Sequence, residues 1–233
     1  MTTESNVPDS SRLDSSRPDS SRPDSSRRKV DRREEILAAT RALFDESGSR
    51  DAQIDDIARA VGVNRAIIYR HFSSKEEIFA EVVVTYLGEL RDDLAEGAAS
   101  SDDPEVQLTA LSDAIIDFGL RHPAFVDCAL ALLRHTGDSL MVEVGEPAMI
   151  RLGEAMWSCL EHVVATLTLG NDSGVFHVDD PSLLANLYYT EALGALSFAG
   201  LQISVGEELS VSGASVEQIK KYIRLSALGQ ARG

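Results

Sequence analysis

From Arg32 onward, apolar residues recur at helical spacing. Ile36, Ala39, Thr40, Leu43 and Phe44 fall on one face of a first helix, and Gly48 supplies its stop. A second, shorter helix repeats Ile54, Ile57, Ala58 and Val61 at i, i+3, i+4 and i+7. Gly62 closes it, a residue suited to the left-handed conformation that reverses a chain within two or three residues. Asn64 is placed to cap a third helix of about two turns running to Phe72. The inner face of that helix is Ile68 and Phe72 with Val63 beneath, which leaves Arg65, Ala66, Tyr69 and Arg70 facing outward. Ser73 and Glu76 form an S-x-x-E capping box that opens a fourth helix, continuing through Phe79, Val82, Val83, Tyr86, Leu87 and Leu90.

The rest of the chain also reads as helix. Asp103–Pro104 and Asp180–Pro181 each place a capping carboxylate before a proline suited to the first helical position. Helical patterns cover 108–120, 123–133, 147–169 and about 216–228, and no segment alternates as a strand would. The pattern predicts an all-α chain of about nine helices: a three-helix N-terminal domain over 31–77 and a larger helical domain over 78–233. Residues 1–30 are expected to be a disordered tail. There PDSSR recurs at 8–12, 18–22 and 23–27 with LDSSR at 13–17, too few apolar groups to offset the entropy of ordering.

Charge sharpens this division. The 233 residues carry a formal charge of −16, but residues 27–75 hold 11 basic and 8 acidic side chains while residues 76–233 hold 8 and 25. One short basic segment on an acidic body is the asymmetry expected where a single face approaches a polyanion, although a charge run also serves as a plain solvated helix face. The tail ends in RRKVDRR at 27–33. Such an arm can track phosphates or a minor groove, and the same composition also serves as a solubilising tail. No apolar run reaches the ~18 residues that span a bilayer, and residues 1–35 lack the apolar core of a signal peptide, so a cytoplasmic protein without membrane partners is expected. Cys128 and Cys159 are too few for a disulfide scaffold and read as reduced core thiols.

Two short helices joined by a tight glycine turn form a helix-turn-helix, whose second helix enters the major groove of double-stranded DNA. Ordinary core packing is the alternative for any one amphipathic helix pair. In the DNA reading, Arg65 is placed for a bidentate contact to guanine, and Asn64 for one to adenine where its cap leaves it free. Ala66 permits close approach and contact with a thymine methyl. Tyr69, His71 and Lys75 fit phosphate contacts, Lys75 from the first turn of the fourth helix, where free amides also point at anions.

Residues 33–77, REEILAATRALFDESGSRDAQIDDIARAVGVNRAIIYRHFSSKEE, resemble the N-terminal domain of the TetR/AcrR family of one-component transcription regulators. The likeness runs without gaps through Ile36–Leu37, Ala38–Ala39, Leu43–Phe44, the VGV turn at 61–63 and IYRHFSSKEE at 68–77. It implies that Tyr69, His71 and Lys75 clamp phosphates while Asn64, Arg65, Ala66 and Arg70 meet bases. The family commonly opens its second helix with Thr or Ser, where this chain has Ala52 and Gln53, then Asp55 and Asp56. Gln53 can still donate and is retained as a contact, whereas the two carboxylates repel phosphate.

For the C-terminal domain the resemblance implies ligand binding and dimerisation. Phe118, Phe125, Met149, Met156, Trp157 and Tyr188 concentrate large groups in the middle helices, where relatives hold a small molecule; such stripes also make ordinary core. The last two long helices, expected at 181–204 and 215–230, would form a four-helix bundle with a second copy. Ala192, Gly194, Ala195, Ala199 and Gly200 on the first allow close approach, and Val216, Ile219 and Ile223 form a stripe on the second.

Enzymatic readings find less support. Residues 137–140 spell GDSL, a hydrolase nucleophile block, but no D-x-x-H follows to supply the base for Ser139, and the stretch reads as a loop. His177, Asp179 and Asp180 read as a loop carrying an N-cap rather than as metal ligands. The sequence points to a DNA-binding regulator without cofactor or metal: a repressor acting as a homodimer on a pseudo-palindromic operator and released by a small, largely apolar effector. The alternatives are a regulator of the same fold switched by a protein partner and, more remotely, a helical hydrolase using Ser139.

Overall fold

Helix α4 (Lys75–Ala98) is the axis on which the other elements assemble. The computed structural model describes residues 25–47, 51–134, 137–199, 202–205, 209–212 and 214–233. In chain order the helices are α1 (Ser25–Ser47), α2 (Ile54–Val61), α3 (Arg65–Ile68), α4, α5 (Pro104–Arg121), α6 (Pro123–Leu132), α7 (Gly137–Val144), α8 (Glu146–Asp172), α9 (Pro181–Ala199) and α10 (Val216–Arg232). Strands β1 (Gln202–Val205) and β2 (Leu209–Ser212) pair antiparallel between α9 and α10, with Gln202 opposite Ser212.

The N-terminal head forms because four short apolar faces close on one another. Ile36 and Phe44 from α1, Ile57 and Ala58 from α2, Ile68 and Phe72 around α3, and Ile78 and Val82 from α4 are all buried. Burial of side chains of this size contributes about 1.5–3 kcal/mol each relative to exposure. Thr40 is also buried, and its hydroxyl is satisfied by donating to the Ile36 carbonyl at 2.8 Å. Gly62 has φ 72° and ψ 33°, the left-handed geometry the sequence required, and Val63 N–H then reaches back to the Ala58 carbonyl at 2.9 Å.

In the body, α4 runs along α8 and α5, while α9 and α10 pack against α5. At 27 residues α8 is about 40 Å long. The caps expected at both prolines form: Asp103 accepts from Glu105 N–H and Asp180 from Leu183 N–H, each at 2.9 Å. Gly170 is required where it stands, because any side chain there meets the ring of buried Phe176. Cys159 is buried against α4 with its thiol donating to the Leu87 carbonyl at 3.2 Å, and burial pushes that thiol up to about 12.

Several expectations need correction. The helix expected from Arg32 begins at Ser25, and its expected stop Gly48 lies outside the described residues. The α4 cap is Ser74 rather than Ser73: Ser74 accepts from Glu77 N–H at 2.9 Å, and Ser73 instead gives its N–H and hydroxyl to the Glu77 carboxylate. Residues 137–140 are not a loop but the start of α7, which docks on α8 and α4. The helix expected to reach 204 ends at Ala199, where the β1–β2 hairpin begins to turn the chain toward α10. With α7 added, the described residues hold ten helices instead of about nine.

Candidate nucleic-acid interface

The turn between α2 and α3 settles which side chains face outward. With Ile68 and Phe72 held in the core, Arg65, Ala66, Tyr69 and Arg70 are exposed, Tyr69 by 45%. Although α3 is only four residues long, backbone bonds from Tyr69, Arg70, His71 and Phe72 back to residues 65–68 extend the helical winding for another turn. The eight-residue stretch thus presents a short, stiff ridge.

Each predicted contact acquires a geometry. Gln53 is exposed at the N-cap of α2, and its side chain makes no capping bond, so both amide groups stay available. Asn64 accepts from Ile67 N–H through Oδ1 at 3.1 Å. A bidentate adenine contact would use that same oxygen, so Asn64 is committed first to starting α3. Arg65 is exposed and has its Nε 3.4 Å from Asp55 Oδ1, a partner that sequence reasoning had assigned only a repulsive role. The neighbouring Asp56 is paired with Arg59 at 2.8 Å. Lys75 sits in the first turn of α4 with its ammonium 4.9 Å from the Phe79 ring centroid. Arg70 and Lys75 have no carboxylate partner among the described residues.

His71 ends the ridge. It is partly buried, its Nδ1 is shut from solvent without a partner, and its carbonyl accepts from Arg33 at 2.6 Å. Burial, reinforced by the positive charges of Lys29, Arg70, Arg33 and Arg32, pushes its imidazole below the usual histidine range. In its neutral form the ring has one N–H, and with Nδ1 covered that leaves Nε2 for a phosphate.

The sequence missed Arg33. Its guanidinium lies over the Phe72 ring at 4.1 Å, donates to the His71 carbonyl, and reaches Glu77 and Glu81 at 2.9 Å each. Burial works against ionisation of Glu77 most strongly, but the Ser73 N–H and hydroxyl together with Arg33 more than offset it, and its carboxyl ends below the usual range. These partners lie 38 to 48 positions from Arg33, beyond any local pattern.

The six predicted pocket residues do not come together. Phe118 and Phe125 are buried edge to face against each other, 5.2 Å between centroids, in a stack with Tyr86 and His122. Met149 and Met156 are half-buried, and Trp157 is 51% exposed on α8, because its position in the helical repeat points away from α4. Tyr188 borders a crevice formed by α5, α8, α9 and α10 and lined by Leu108, Ser112, Ile115, Glu191 and Ile223. The α10 stripe is also partly internal, since Ile219 is buried in this chain's own core. Among the described residues no helix is long and apolar enough to cross a membrane.

A short exposed helix after a glycine turn, on a core of three helices, defines a helix-turn-helix head. Residues 36–82 match the bacterial regulatory proteins of the tetR family, which places this head domain in that family. It is 31% identical over 88 residues to the transcriptional activator FasR of Mycolicibacterium smegmatis, covering 38% of this chain and 40% of FasR. It is 37% identical over 83 residues to the transcriptional repressor KstR2 of Rhodococcus jostii, covering 36% and 41%. The chain thus spans about two fifths of the length of these relatives. The TetR family regulator PfmR of Thermus thermophilus shares the fold at a TM-score of 0.55 and 21% identity, covering 85% of this chain and 97% of PfmR.

Proposed function

We propose that this protein is a DNA-binding transcriptional regulator, a repressor that reads a two-fold-related operator as a homodimer. The observation that supports this reading best is the outward ridge of Arg65, Tyr69 and Arg70 over a buried Ile68 and Phe72. Guanidinium and phenol donors on a groove-sized helix suit base edges and phosphates, and Gln53 adds a donor from α2. Arg65, Ala66 and Arg70 are assigned to bases and Tyr69 and Lys75 to phosphates. Asn64 acts mainly as the cap of α3, and His71 supports the ridge as a neutral ring.

A second copy is assigned to the outer face of α9. Leu183, Leu187 and Phe198 are exposed there at spacings that share one side of the helix, with exposed Gly194 between them, and Tyr222 and Leu225 are exposed on α10. Two-fold symmetry then sets two heads about one helical turn of DNA (~34 Å) or a multiple apart. An apolar effector entering the crevice beside Tyr188 would release the operator by favouring a different separation of the heads. The relatives include both an activator and a repressor, so the sign of regulation is tested separately from DNA binding.

The test is selection of duplexes from a random pool by the full chain, followed by titration across salt. Enrichment of an inverted repeat, with affinity falling as salt rises, is the expected result. Absence of any duplex binding at low ionic strength overturns the reading. Transcription of a reporter carrying the selected site then decides between repression and activation.

A further inference from the structure

Glu81, 5% exposed, is the single buried carboxylate among the described residues, and it lies midway between the head and the body. Its Oε1 accepts from Arg33 Nη2 at 2.9 Å and from Arg151 Nε at 2.9 Å, with Arg151 Nη2 donating to the same oxygen. Arg33 belongs to α1 and Arg151 to α8, so one oxygen on α4 joins the two helices. Arg33 also continues the path outward. Its other nitrogen holds the His71 carbonyl at 2.6 Å, at the exit of the α3 ridge. Two arginines thus face two glutamates, Glu77 and Glu81, with both carboxylates covered and Arg151 partly open to solvent.

Buried ion pairs contribute little net stability, because desolvation roughly offsets their attraction, but planar guanidinium forks on a shared carboxylate fix geometry closely. A shift of α8 against α4 moves Arg151, and Glu81 cannot follow without loosening Arg33 and the ridge beyond it. A second tie near the same place has the Ser74 hydroxyl donating to the Glu143 carbonyl of α7 at 2.7 Å.

We infer that Glu81 and Arg151 are positioning residues for operator binding, setting the orientation in which α3 is held relative to α8 and hence the half-site spacing the dimer accepts. This rests on the DNA-binding reading above. It assigns no DNA contact to either residue.

The test uses the full chain and the duplex that wild type enriches from a random pool, together with versions whose half-sites are moved together or apart by one base pair. Wild type is expected to lose about tenfold or more in affinity on such a shift, comparable to a mismatched base pair. Arg151 is 42% exposed and Glu81 keeps Arg33 without it, so Arg151→Ala leaves no unpaired buried charge. In Arg151→Ala the ratio of affinities for native and shifted spacing is expected to fall by about threefold or more, with base discrimination inside each half-site unchanged. Arg151→Lys, which keeps one donor, is expected to restore part of that ratio, and Glu81→Gln to reduce it as Arg151→Ala does.

A wild-type spacing ratio in Arg151→Ala and Arg151→Gln, whatever their melting temperatures, overturns the inference. So does a wild type that binds every spacing equally while still selecting a sequence, an outcome that spares the DNA-binding reading. If wild type enriches no duplex, both fall together.

Discussion

In the body, Lys220 ends on Asp117, Arg224 on Asp113, Arg121 on Asp93 and Arg232 on Glu105. In the head, Arg70 points outward with no such partner among the described residues, and Lys75 only leans over Phe79. Both regions use the same side chains, but these four body cations end on acids while Arg70 and Lys75 are left open and Arg65 has only Asp55 at 3.4 Å. Exposed pairs contribute about 0–1 kcal/mol, so the open cations sacrifice little stability. What Arg70 and Lys75 keep is a donor group with no carboxylate competitor among the described residues. The excess of acid over the rest of the chain then discourages a polyanion from settling anywhere else.

The contrast between head and body is lost most severely if the ridge loses its support. Phe44 is fully buried beneath the head and stacks edge to face on Phe79 at 4.9 Å. Phe44→Ala should destabilise the protein by about 3–5 kcal/mol, measured by denaturant unfolding. Removing a reading group instead of a supporting one should act on DNA alone. Arg65→Ala is expected to weaken operator binding by about 1–3 kcal/mol and to relax discrimination at one base pair, with unfolding unchanged. A uniform loss on all sequences would reassign Arg65 to the phosphates. By contrast Lys75→Ala should weaken all sequences alike and reduce the salt slope by about one.

A smaller effect concerns the seam between the regions. Tyr86 on α4 donates its hydroxyl to Asp45 on α1 at 2.6 Å, and burial first, then Asp45, pushes the phenol well above the usual tyrosine range. Tyr86→Phe should lower stability by about 1 kcal/mol at neutral pH. Acid gives a further handle. The folded His71 takes up a proton less readily than the unfolded chain, so stability attributable to it is present at neutral pH. It should fall as pH drops below about 6.5 and level off once pH passes the lowered folded value. Acid titration of wild type against His71→Asn should show a shallower loss in the variant over that window. Least of all, Lys220→Ala in the body should change stability by under about 1 kcal/mol and leave operator affinity alone.

What the sequence disclosed followed from distance along the chain. The α2–α3 turn, Gly62, the outward set at 65, 66, 69 and 70, and the aspartate caps at 103 and 180 are all decided within a few residues, and all were legible. The cap of α4 slipped by one because two adjacent serines compete, and only Glu77's second partner decides between them. Arg33 and Arg151 were invisible because their shared partner lies 48 and 70 positions away. The packing of the large side chains in the middle helices was illegible for a related reason. Helical spacing shows that Phe118, Met156 and Trp157 each belong to a repeat, but not which neighbouring helix each repeat faces. Trp157 is left 51% exposed, and Phe118 faces Phe125.

Cys159 offers an unplanned clock. A thiol sealed under α4 and held largely protonated reacts with an alkylating reagent only in the moments when α8 lifts away from α4. Its labelling rate therefore counts those excursions directly, and any compound that clamps the two helices together should slow the count in proportion to its occupancy.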